Sequence, residues 1–80
     1  MKLVTIHTTT GPIMVNANHI IYVYQAMPDG KGNYNELRVM LTDTTELTLD
    51  LDEYLPGFER HSMQDFMDEF RASLEAQLEK

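Results

Sequence analysis

Cysteine is absent from the 80 residues, which excludes disulfides, thiol nucleophiles, zinc knuckles and iron-sulfur ligation. Long apolar runs are absent too. The longest, Ile20 to Tyr24, falls far short of the ~20 residues that a membrane helix requires. Thr5, His7 and three consecutive threonines interrupt the first ten residues, so they lack the continuous apolar stretch of a secretory signal. The expectation is a cytoplasmic protein that does not enter a membrane. Basic residues are scarce, with 6 Lys+Arg against 13 Asp+Glu and a formal net charge of -7. The imbalance is regional: residues 43 to 80 hold three basic and eleven acidic side chains, whereas the first 42 residues are close to neutral. An acidic half of this kind repels phosphate and anionic lipid and excludes the counterion-release mode of nucleic-acid binding.

What the chain does contain is enough for one small domain, residues 1 to 80, with a core that is marginal unless a partner adds to it. Val4 and Ile6 alternate with Thr5 and His7 in a first strand over Leu3 to Thr9, which Thr10-Gly11-Pro12 turns into a second at Ile13 to Asn16. Asn16-Ala17-Asn18-His19 supplies turn chemistry before a third strand, Ile20 to Gln25. Met27 to Asn33 is dense in turn formers and reads as a long hairpin loop with a mobile tip. The clearest alternation follows. Leu37, Val39 and Leu41, then Leu47, Leu49 and Leu51, share one face of a hairpin closed by Asp43-Thr44-Thr45. Ser62 with Asp65 three residues on forms an N-cap signature. Met63, Phe66, Met67, Phe70, Leu74 and Leu78 then recur at helical spacing, with Arg71 placed to meet Asp68 and Glu75.

The fold expected is therefore α+β: a curved antiparallel sheet of about five strands with one C-terminal amphipathic helix packed on one face. A single helix covers a single face, so the other is solvated or meets a partner. In the register that buries Ile21, Val23, Leu37, Val39 and Leu41, that other face carries Ile20, Tyr22, Tyr24 and Met40, an apolar and aromatic patch of the kind that marks an interface. A slip of one residue in the third strand would instead turn the tyrosines inward.

Residues that could carry chemistry each have a simpler role. His7, His19 and His61 stand at no metal-binding spacing from one another. Asp50, Asp52 and Glu53 could meet a hard cation, but Tyr54 and Leu55 stand where a calcium loop needs its third ligand and its glycine, and strand-end charges that discourage edge pairing explain them better. Gly30-Lys31-Gly32 lies between two strands and lacks the phosphate-loop pattern. Ser62 is occupied as a helix cap, and His61 beside it is poorly placed to act as its base. Tyr22 and Tyr24 with Arg38 could stack single-stranded nucleic acid, yet one arginine does not build the positive groove required. No catalytic residue, cofactor or metal is expected. The function expected is a non-catalytic protein-protein interaction module that works as a homodimer or with a protein partner. The alternative is an acidic inhibitor whose carboxylates imitate nucleic-acid phosphates and block a basic DNA-binding protein.

The run Val15-Asn16-Ala17-Asn18-His19-Ile20-Ile21-Tyr22-Val23, after the Gly11 turn and before two leucine-rich strands, resembles the FlbD/SwrD type of small flagellar and swarming-motility proteins and their relatives over about residues 3 to 55. That resemblance implies the same order of strand, glycine turn, Val-Asn pair, Ile-rich strand and β-hairpin. Ile20-Ile21-Tyr22 is also similar to a strand of LytTR-type DNA-binding domains, although the loops here lack the basic residues that DNA binding needs.

Overall fold

The computed structural model describes residues 2–26, 36–57 and 60–79. The predicted Met27 to Asn33 loop lies outside them. Two strands open the chain, β1 (Leu3–Thr8) and β2 (Gly11–Asn16), paired antiparallel from Leu3 opposite Asn16 to Thr8 opposite Gly11. Their two-residue link depends on Gly11, whose φ of +117° is a conformation that L side chains rarely adopt. Thr8 reinforces it. Its buried hydroxyl donates to the Gly11 carbonyl at 2.6 Å and accepts from the Thr10 amide at 3.2 Å.

A 3-10 turn at Ala17–His19, capped by the Asn16 side chain on the Asn18 amide, leads into β3 (Ile20–Ala26). β3 pairs with β4 (Glu36–Leu41), which pairs with β5 (Glu46–Thr48), both antiparallel. The predicted Asp43-Thr44-Thr45 hairpin is present. The Asp43 carboxylate accepts the Thr45 amide at 2.9 Å, which holds its pKa below the ordinary value.

The strands form two sheets, β1-β2 and β3-β4-β5, rather than the single five-stranded sheet expected. The leucine alternation holds through Leu49 and then stops. Leu49 makes an isolated bridge to Thr8, the Asp50 amide donates to the His7 carbonyl at 2.9 Å, and the chain coils into a single helical turn, α1 (Leu51–Tyr54). Asp52 and Glu53 lie in its first turn, where negative charge suits the N-terminal end of a helix better than it suits a strand. Leu51, expected as a strand residue, therefore begins a helix, and the chain leaving β5 joins β1 through one isolated bridge.

The main helix, α2 (Met63–Leu78), starts at the predicted capping box: the Asp65 amide donates to the Ser62 hydroxyl at 3.2 Å and the Ser62 amide to the Asp65 carboxylate at 3.0 Å. Phe66 and Phe70 are buried against Ile6, Leu37, Val39 and Leu49, with Met63, Met67 and Leu74 at the margins of this cluster. Leu78, the last position of the predicted stripe, is 41% exposed. Arg71 pairs with Glu75 at 3.8 Å, while Asp68 accepts a hydrogen bond from Gln64. Since Phe66 and Phe70 supply the helix side of the core, Phe66→Ala and Phe70→Ala are each expected to cost about 3 to 5 kcal/mol in chemical denaturation. A loss below ~1 kcal/mol in both would contradict this packing.

Candidate interaction surface

The side of the β3-β4-β5 sheet turned away from α2 is the surface that the sequence singled out, and one irregularity decides what stands on it. Ile20 lies opposite Leu41 but Tyr22 lies opposite Met40, so Ile21 is an extra residue in the ladder. This β-bulge shifts the alternation by one position. Ile20 packs against the core with Val23, and Ile21 is the residue left 56% exposed. Ile20, expected on the outer patch, therefore belongs to the inner side, and Ile21, expected in the core, does not. The other three keep their expected side: Tyr22 opposite Met40 and Tyr24 opposite Arg38 face outward. Tyr22 is 49% exposed, and its ring lies 5.6 Å from that of Tyr24, tilted by 47°.

One cation on this face lies between two carboxylates. Arg38 donates to the Glu36 carboxylate at 2.8 Å and approaches Glu46 at 3.5 Å. The hydrogen bond to Glu36, then that with Tyr24, raises the guanidinium pKa above even its usual value. The Glu46 carboxylate pushes the Tyr24 hydroxyl above the ordinary tyrosine pKa, desolvation adds to it, and Arg38 opposes it. The clamp on Arg38 comes from the same strand, two residues away, and from a neighbouring strand. Period-2 spacing of Glu36 and Arg38 was the available signal for the first of these. A cation held between two carboxylates is a poor counter-charge for phosphate.

The remaining candidates are dispersed. His7 lies edge-on to Tyr54, His61 sits against Phe66 and 3.9 Å from Asp65, and His19 ends the 3-10 turn. Asp50 and Glu53 line a cavity of about 290 Å³ together with His7 and Gly11, a grouping of β1, β2 and α1 that the sequence did not suggest. Among the described residues no three His, Asp or Glu side chains converge closely enough to hold a metal ion. No helix among them is long and apolar enough to cross a membrane. A second concavity, about 270 Å³ and mainly apolar, lies between β3 and α2, lined by Val23, Met67, Phe70 and Leu74 with Asp68 and Arg71 at its rim.

No family model, no curated protein and no solved structure matches the chain. Its candidate function rests on the geometry above. The Tyr24 environment gives a direct check: its hydroxyl, followed by NMR, is expected to titrate above the usual tyrosine pKa of about 10. Glu46→Gln should lower that midpoint, since Glu46 is the largest cause of the shift. An unchanged midpoint would remove Glu46 from the clamp.

Proposed function

We propose that this chain is a non-catalytic protein-protein interaction module that meets its partner through the outer face of the β3-β4-β5 sheet, with Tyr22, Tyr24 and Met40 as anchors. The observation that carries this reading is the paired, outward-facing Tyr22 and Tyr24 rings on a face where Arg38 is already neutralised by Glu36 and Glu46. Large amphipathic rings of this kind contribute contact area at low entropic cost and are favoured at interfaces. A cytoplasmic setting is part of the proposal, because nothing in a chain without cysteine depends on an oxidising compartment. The resemblance to motility proteins concerns the order of strands and contributes no activity to the proposal.

A second reading, the acidic inhibitor, is favoured by one feature. Asp65, Asp68, Glu69 and Glu75 on α2 and Glu79 at its C-cap are all exposed, and at 3.6 residues per turn they fall within an arc of about 120°. Capture from the source cell separates the readings. Wild type is expected to retain one partner at both low and high salt, and Tyr22→Ser with Tyr24→Ser to lose it. Equal capture by both forms would overturn the tyrosine face as the docking surface, and capture only of basic nucleic-acid-binding proteins that vanish with salt would overturn the module and favour mimicry.

A further inference from the structure

We infer that β3 is a self-pairing edge: two copies of this chain join antiparallel through β3 about a two-fold axis at Val23. This inference deepens the interaction-module reading and rests on it for the role of the tyrosine face.

The backbone directions come from the ladder. Leu41 donates to the Thr45 carbonyl and Leu49 to the Leu37 carbonyl, so the odd-numbered residues of β4 bond to β5 and the even-numbered ones to β3. Their β3 partners are Tyr22, Tyr24 and Ala26. Val23 lies between them and directs its N–H and C=O away from β4. Among the described residues no strand pairs with that edge. β3 also carries neither of two usual defences of an edge strand, since Ile20 to Ala26 include no charged residue and no proline. The bulge confines its irregularity to Ile21, leaving Tyr22 onward in regular register.

A second copy fits this edge for three reasons. Pairing Val23 with the partner's Val23 sets Tyr22 opposite the partner's Tyr24, and Tyr24 opposite the partner's Tyr22, the cross-strand aromatic arrangement that stabilises sheets. It also joins the two outer faces into one continuous four-tyrosine surface. On the inner side the apolar groove beside Val23 is bordered by α2 residues from Gln64 to Leu74, so the axis passes near the middle of that span and the two α2 helices run antiparallel beside it. Asp68 and Arg71, both exposed on that rim, then lie near the partner's Arg71 and Asp68. The surface is self-complementary in charge, as an isologous interface must be.

Light scattering and sedimentation from micromolar to millimolar concentration test this directly. Wild type is expected to shift from 9.3 kDa to twice that mass. Val23→Pro removes an outward-facing amide at a position where an edge strand tolerates proline; it keeps an apolar side chain at the margin of the core and should stay folded and monomeric. Arg71→Asp places like charges across the axis and should weaken the dimer at least about tenfold. The double exchange Asp68→Arg with Arg71→Asp should recover most of that loss. A wild type that stays monomeric, a folded Val23→Pro that still dimerises, or a double exchange that recovers nothing would each overturn the inference. A monomeric wild type that nonetheless captures its partner through Tyr22 and Tyr24 would overturn the self-pairing while leaving the interaction module intact.

Discussion

The outer edge of β1 is the constraint on which the rest of the structure depends. Thr5 and His7 lie between the residues that bond to β2, so their backbone groups face away from the hairpin. Each of those groups is met. The Gln77 side-chain amide accepts from the Thr5 N–H at 2.7 Å and donates to the Thr5 C=O at 3.1 Å. The Tyr54 hydroxyl accepts from the His7 N–H at 3.0 Å, and the Asp50 N–H donates to the His7 C=O at 2.9 Å. Leaving a buried donor or acceptor unmet costs about 1 to 3 kcal/mol. A primary amide carries one donor side and one acceptor side, so Gln77 does the work of a peptide group in an absent strand. A shorter or apolar side chain at 77 could not.

That closure explains why the sheet divides in two and where α2 lies. Because α1 and α2 occupy the edge of β1, the chain leaving β5 bridges to it only at Leu49. Tyr54 ties the arrangement together. Its hydroxyl holds the edge, burial pushes its pKa up, and its ring lies edge-on to Phe70 at 5.6 Å. Phe70 and Gln77 are seven residues apart, about two turns along the same face of α2, so core burial and edge closure fix the helix in one position. The edges at β1 and β3 are thus treated differently. β1 is sealed by side chains from 47 and 72 residues away, while β3 keeps the outward backbone of Val23 and the tyrosine face beside it.

Much of this was legible in the sequence wherever the cause was local. The period-2 runs of β1 and β4, the 43–45 hairpin and the Ser62-Asp65 start of α2 are written in neighbouring residues, and each stands where the pattern puts it. Tyr22, Tyr24 and Met40 were legible as an outward patch for the same reason. Ile20 was not, because a bulge adds a residue without changing composition and so reverses the parity that the reading relies on. Leu51 shares the parity of Leu47 and Leu49, and the parity hides the Asp52-Glu53 pair that favours a helix start after it. Gln77 was the least legible. A polar side chain near a helix C-terminus resembles solvated surface, and its partner is at the other end of the chain.

Native-state hydrogen exchange at the Thr5 amide tests the edge closure most directly. Met14, opposite Thr5 in the hairpin, directs its own amide to the other edge and serves as the reference. If Gln77 seals β1, Thr5 exchanges only with the core amides of Ile6 and Val39, through global unfolding, while Met14 exchanges through local opening. Gln77→Ala should release Thr5 selectively. A Thr5 amide that exchanges as fast as Met14 in the wild-type protein would contradict the account.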